Sequence, residues 1–170
     1  MYREALVPGE EREVWFIRLM DTYGGLLMGL CIMLLKDHHL AEDAVQETFL
    51  RAWRTGGLRV ETERAWLVRV AANICRDHQR SRWFRFVERR VTPEDLTISV
   101  QPEENDVIRE VKRLPLKERE VIVMHYWGGM TAAEVAETLG IARASVYRRM
   151  DNAKKKLKIE LDEKGDAAHD

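Results

Sequence analysis

Thr131-Ala-Ala-Glu-Val-Ala-Glu-Thr-Leu-Gly140-Ile-Ala-Arg-Ala-Ser145-Val-Tyr-Arg-Arg-Met150-Asp-Asn-Ala-Lys-Lys-Lys156 is the stretch that decides the fold. Thr131 with Glu134 three residues later forms a capping-box signature. The threonine hydroxyl accepts from the glutamate amide, and the carboxylate reaches back. The helix so begun is two turns long and stops at Gly140. A strongly basic helix starts near Arg143. Two helices about a tight glycine turn have the spacing of a helix-turn-helix. Val135, Ala136, Leu139, Ile141 and Val146 supply the contact between them. The second helix of such a unit lies in the major groove and shows its N-terminal residues to base edges. Here these are Arg143, Ser145, Tyr147, Arg148 and Arg149. An arginine fork can pair with both acceptors of guanine. Lys154, Lys155 and Lys156 suit phosphates, which add affinity without sequence information. A plain helical hairpin with a charged surface is the alternative.

Working outward, Val107, Ile108, Val111 and Leu114 form the inward face of a short helix ending at Pro115. Another helix runs from about Lys117 to Tyr126, and Gly128-Gly129 turns the chain. The basic helix extends to about Leu161. Upstream, Pro93 and Pro102 bracket Thr97-Ile-Ser-Val100, residues of poor helix propensity, so residues 86–102 are expected to be an extended linker.

The N-terminal part reads as three helices. The first covers about Glu11–Leu35, with Phe16, Met20, Tyr23, Leu27, Leu30 and Leu34 as its inward stripe. Gly24, Gly25 and Gly29 weaken it and suggest close helix packing. The second follows Asp37 as N-cap and stops at Gly56-Gly57, with Val45, Thr48, Phe49 and Ala52 inward. The third covers about Glu63–Trp83, with Trp66, Leu67, Val70, Ala71 and Ile74 inward. Asn73, Asp77 and Arg80 share its outer face at i, i+4 and i+7. The expected fold is all-α. Two small helical domains, residues 1–85 and 103–161, are joined by a flexible linker, 86–102, and followed by a tail, 162–170. The C-terminal domain is the helix-turn-helix.

The composition, 45% hydrophobic and 34% charged, is that of a soluble globular chain. The longest apolar stretch, Leu26–Leu35, is about half the ~20 residues a bilayer span needs. The first residues lack a signal pattern. A cytoplasmic protein without membrane insertion is expected. The net charge is −1, yet its distribution is uneven. Residues 76–90 hold six arginines against two acids, and residues 143–158 hold seven basic residues against Asp151. Two basic patches on a near-neutral chain fit nucleic acid, although solvated helix faces would look the same. Cys31 and Cys75 lie in apolar helical stretches and read as core residues. His38-His39, His78 and His125 have no metal-ligand spacing, and no nucleophile stands with a base. No catalytic residue, metal or cofactor is expected.

Leu114-Pro-Leu-Lys-Glu-Arg119-Glu-Val, Tyr126-Trp-Gly-Gly-Met-Thr-Ala-Ala-Glu134 and Ser145-Val-Tyr-Arg-Arg-Met150 resemble the promoter-binding C-terminal domain of extracytoplasmic-function (ECF) sigma factors of the sigma-70 family. Alone, this half also resembles the helix-turn-helix of many response regulators. The first half separates the two. Ala41-Glu-Asp-Ala-Val-Gln-Glu-Thr-Phe-Leu-Arg-Ala-Trp53 is similar to the sigma helix that docks on the polymerase clamp. Trp66-Leu-Val-Arg-Val-Ala-Ala-Asn73-Ile-Cys-Arg-Asp77-His-Gln-Arg80 is similar to the sigma helix that reads and opens the minus-10 element.

The resemblance implies a chain that binds core RNA polymerase and directs promoter recognition and melting. Asp43, Gln46, Glu47 and Leu50 fall at core-polymerase positions. Asn73, Arg76, Asp77 and Arg80 fall at minus-10 positions, and Arg143, Ser145, Tyr147, Arg148, Arg149 and Lys154 at minus-35 positions. The loop Thr55–Thr62 corresponds to the element that captures a flipped base, although it lacks an aromatic. Trp83, Phe84 and Phe86 suit single-stranded DNA or, equally, a domain core. The partners implied are core polymerase, duplex and melted promoter DNA, and an anti-sigma factor, which is often membrane-bound. Two departures stand out: Glu63 replaces an aromatic, and Ala142 gives the recognition helix no side-chain cap. The rival function is a stand-alone helix-turn-helix regulator. An enzyme with an accessory DNA-binding domain is a further rival, for which residues 1–90 offer no convergent groups.

Overall fold

The computed structural model describes residues 9–89 and 106–157, which contain helices and turns and no strand. The chain divides into two compact units, Met1–Arg82 and Trp83–Asp170.

In the first unit, α1 spans Gly9–Leu35, α2 His38–Thr55 and α3 Val60–Arg89. Leu19, Leu27, Leu30, Cys31 and Leu34 form the buried stripe of α1. Each fully buried leucine contributes roughly 2 kcal/mol. Met20 was expected inward, but it is 37% exposed. Phe16 and Tyr23 are half-buried. The stripe passes through Leu19 instead of Met20, one residue of rotation about the helix axis. Gly24 and Gly25 have nothing within 4 Å of a Cβ placed on them, so they do not create the close packing expected of them. By length and composition alone, residues 11–35 of α1 could cross a membrane. Its leucine stripe is buried inside the unit, and a third of that apolar window is buried in all.

Asp37 caps α2 as expected, its Oδ1 accepting from Leu40 N at 3.0 Å. The buried face is Ala41, Ala44, Thr48, Phe49 and Ala52. Val45, expected there, is half-buried, and the neighbouring Ala44 is fully buried in its place. Thr48 tolerates burial by donating to the Ala44 carbonyl at 2.7 Å. The helix ends at Gly56, whose φ of 64° favours glycine.

α3 begins at Val60, three residues before the expected start, and continues to Arg89. Residues 86–89, read as linker, are therefore helical. Glu61 and Glu63 in its first turn favour this early start through the positive end of the helix dipole. The buried stripe is Glu63, Leu67, Val68, Ala71, Ala72, Ile74 and Cys75, while Trp66 and Val70 are half-buried. Gln79 donates to the Leu34 carbonyl at 2.9 Å and ties α3 to the end of α1. Cys31 and Cys75 are both buried, as expected of core residues. A hydrogen bond with Cys31 and burial push the Cys75 thiol up, away from the reactive thiolate. The remainder of the expected linker, residues 90–102, the tail and the Trp83, Phe84 and Phe86 side chains lie outside the described residues.

In the second unit, α4 spans Asp106–Arg113 and α5 Leu116–Ile122, followed by a π-helical turn, Val123–Trp127. α6 spans Ala132–Leu139 and α7 Arg143–Leu157. Val111 and Leu114 are buried as expected, but Val107 is 38% exposed near the start of a short helix. The wide turn was not legible as such. It is closed by bonds from Gly128 N to the Val123 carbonyl and from Met130 N to the Met124 carbonyl. His125 Nδ1 lies 2.7 Å from the Met130 carbonyl and braces the Gly128-Gly129 bend. Arg119 donates to the Leu114 carbonyl at 3.0 Å, and burial pushes its pKa down to about 10.

Candidate polymerase and promoter surfaces

Asp43, Gln46, Glu47 and Leu50 lie at i, i+3, i+4 and i+7 on α2, opposite its buried alanines. Asp43 and Gln46 are exposed, and Leu50 is 47% exposed. Glu47 is steadied by Arg51 at 3.1 Å, a surface pair of small energetic weight. Leu50 opens onto an apolar groove of about 390 Å³ that also holds Glu13, Phe16, Ile17 and Trp53. The contribution of α1 to this face was missed from sequence. Ile17 is 55% exposed, a large apolar side chain left at the surface of α1 beside Leu50. Beneath the groove, Phe16 meets Phe49 and Trp53 edge-on at centroid distances of 6.2 and 5.1 Å.

On α3, Asn73, Asp77 and Arg80 are all exposed on one face, while Arg76 is half-buried beside them. Ala72 and Cys75, both fully buried, hold the helix in the core and leave Asn73, Asp77 and Arg80 at the surface. The non-helical loop before α3 is Gly56–Arg59, shorter than the expected Thr55–Thr62. Leu58, 6% exposed, roots it in the core.

In the second unit the expected capping box is present. Glu134 N donates to Thr131 Oγ1 at 3.1 Å, and Thr131 N to Glu134 Oε2 at 3.0 Å. Gly140 closes α6 in the left-handed conformation, φ 65° and ψ 37°. Val135, Ala136, Leu139 and Val146 are buried between α6 and α7, with Ile141 half-buried at the turn. Val146, Met150, Ala153 and Leu157 form the buried stripe of α7. That register turns Arg143, Tyr147 and Arg148 outward and leaves Ser145 and Arg149 half-buried. The three lysines separate. Lys155 is exposed, Lys154 lies 5.8 Å above the Tyr126 ring, and Lys156 pairs with Glu118 at 2.8 Å. The Lys156 ammonium has this carboxylate partner at hydrogen-bond distance, in an exposed pair of small energetic weight.

Residues 19–85 match the family Sigma-70 region 2, and residues 104–157 match Sigma-70, region 4. ECF RNA polymerase sigma factor SigL of Mycobacterium tuberculosis is 34% identical over 157 residues, covering 86% of this chain and 89% of that one. SigW of Bacillus subtilis is 27% identical over 166 residues, covering 86% and 88%. Among solved structures, CnrH in complex with the cytosolic domain of CnrY is similar at TM-score 0.55 and 25% identity, covering 88% of each chain. Sigma factor RpoE of Bartonella quintana, in complex with the anti-sigma factor NepR, shares the fold at TM-score 0.61 and 20% identity. That match covers 88% of this chain and 96% of RpoE.

Region 2 and region 4 together leave the stand-alone regulator without support. Sigma factors are in general non-enzymatic DNA-binding initiation factors that work in the cytoplasm, where core polymerase and promoter DNA are their partners. The chain belongs to the ECF RNA polymerase sigma factors of the sigma-70 family and directs transcription initiation as an alternative sigma factor.

Proposed function

We propose that the chain divides initiation between its two units and performs no catalytic step of its own. Residues 1–85 bind core polymerase and the melted minus-10 strand. Residues 103–161 bind duplex minus-35 DNA, residues 86–102 join them, and 162–170 form a tail. Asp43, Gln46, Glu47 and Leu50 meet the polymerase. The apolar groove beside Leu50 suits the stem of a partner helix, and the two carboxylates suit basic residues on it. Asn73, Arg76, Asp77 and Arg80 take the non-template strand, the amide of Asn73 offering both donor and acceptor to a base edge. Arg143, Ser145, Tyr147, Arg148 and Arg149 read the minus-35 duplex, and Lys154 adds a phosphate contact.

The observation that carries this reading is the pair of outward faces within one small unit. One is acidic and apolar on α2, the other polar and cationic on α3. A duplex-binding dimer needs neither. CnrH was solved with the cytosolic domain of CnrY, and RpoE with the anti-sigma factor NepR. An anti-sigma partner is part of the proposal for this chain, and it holds the sigma factor at the membrane where that partner is membrane-bound.

The test is reconstitution with core polymerase, followed by run-off transcription on promoters mapped after overexpression. Promoter-dependent starts are expected. Tight duplex binding without any start would defeat the proposal.

A further inference from the structure

Glu63 is 1% exposed, a carboxylate where the family resemblance led us to expect an aromatic. Arg18 of α1 grips it with both guanidinium ends, Nη1 to Oε1 at 2.9 Å and Nη2 to Oε2 at 3.0 Å. The Tyr23 hydroxyl donates to Oε1 at 3.0 Å. The Arg18 fork holds the carboxyl below its usual range, against the opposing effect of burial, so it is charged at neutral pH. An aromatic packed at this point would be held by area alone. A bidentate arginine–carboxylate pair also fixes direction.

A second arginine of α1 acts on the other side of the same loop. Arg12 donates to the Trp53 carbonyl, near the end of α2, and its guanidinium lies 4.4 Å over the Trp53 ring. Arg12 and Arg18 are six residues apart, roughly 9 Å along the helix. They tie the last turn of α2 and the first turn of α3 to one rigid element. Between the ends of the two helices run only Gly56, Gly57, Leu58 and Arg59. Leu58 is buried, and the two glycines have φ of 64° and 56°. A short glycine-containing loop would ordinarily lose much conformational freedom on gripping a ligand. Here most of that freedom is removed in advance, which strengthens binding without adding a contact.

We infer that Arg18, Glu63 and Tyr23 are positioning residues for promoter melting: they hold the loop Gly56–Arg59 in the shape that receives an unpaired minus-10 base. The inference rests on the proposal that the first unit takes the melted strand. These residues touch no base themselves. They act through the loop, where unstacking a base is already costly and a loosely held receiver would not compensate.

The test uses holoenzyme assembled from core polymerase with the wild-type chain, Glu63→Gln or Arg18→Lys. Arg18→Lys keeps a charge at a side chain that is 43% exposed, so it preserves the fold while losing the fork. The probe is a fluorescent single-stranded oligonucleotide of the non-template minus-10 sequence from a mapped promoter. It is used intact and with an abasic site at each position in turn. About tenfold weaker binding of the intact strand is expected for both variants, with minus-35 duplex binding unchanged. At one position the abasic site should weaken the wild type and erase the difference between wild type and variants. Variants that bind the intact strand like wild type would overturn the inference, as would variants that lose the same factor on every abasic strand. A wild-type holoenzyme that prefers the strand over a scrambled one while the variants fail these criteria overturns the inference alone. One that shows no such preference overturns the underlying proposal with it.

Discussion

Lys156 Nζ donates to both carboxylate oxygens of Glu118, at 2.9 and 2.8 Å, and so ties the end of the recognition helix α7 to the first turn of α5. The pair gives one lysine of the basic run a partner within the fold. It splits residues that sequence alone would group, and this has a measurable consequence.

Arg148→Ala should cost about 1–3 kcal/mol against the correct minus-35 sequence and relax discrimination there. Lys155→Ala should weaken all sequences alike and reduce the salt slope by about one counterion. Lys156→Ala should leave the salt slope nearly unchanged. Salt-dependent binding to matched and mismatched minus-35 duplexes separates the three. Equal losses for Arg148→Ala on every sequence would contradict its base-reading role.

The Arg18–Glu63 contact predicts an acid-sensitive first unit. Glu63 has its pKa lowered in the fold, first by the Arg18 hydrogen bonds and also by Tyr23, against burial. A depressed carboxylate stabilises the fold at pH above its ordinary value of 4.5. That stabilisation is lost as pH falls through the lower folded value. Arg18→Ala should destabilise the first unit by about 2 kcal/mol at pH 7. The gap to wild type should narrow progressively as pH falls below 4.5. Hydrogen exchange of α1 and α3 amides as a function of pH reads this directly.

The glycines of α1 and α6 should respond oppositely to alanine. Gly25→Ala meets open space inside a helix and should stabilise the first unit by about 0.5–1 kcal/mol. Gly140→Ala also meets open space, but its φ of 65° should make it destabilising by about 1 kcal/mol. Urea denaturation followed separately for each unit gives both signs.

Ile17→Asp and Leu50→Asp should weaken core polymerase binding at least tenfold and change stability little, since both side chains are about half exposed. Fluorescence anisotropy with core polymerase checks the affinity, and thermal denaturation checks the fold.

The fold was legible wherever local signals were strong. Asp37, the Thr131–Glu134 box, Gly56 and Gly140 each end or begin a helix through their own chemistry. Periodicity was less reliable at single positions. Met20, Val45 and Val70 all look inward, yet the buried stripes pass through their near neighbours Leu19, Ala44 and Val68, a rotation of one or two residues that apolar spacing alone does not set. Glu63 was legible only as a departure from a pattern. Its partners, Arg18 and Tyr23, are at least 40 residues away, and no local spacing points to them. Ile17 and Phe16 of the groove were missed for the same reason, since the face they share with Leu50 exists only once α1 lies along α2. The outward set Asn73, Asp77 and Arg80 was readable because one helix period suffices to align it.

In the proposed division of labour, the α3 face handles the melted strand while α7 holds the duplex. That division is tested most directly by probing one promoter complex in two ways, footprinting over minus-35 and permanganate reactivity of unpaired thymines at minus-10. With Asn73→Ala and Arg80→Ala combined, the minus-35 footprint should persist while minus-10 reactivity falls at least tenfold. Loss of both signals together, or full melting by the double variant, would contradict the account.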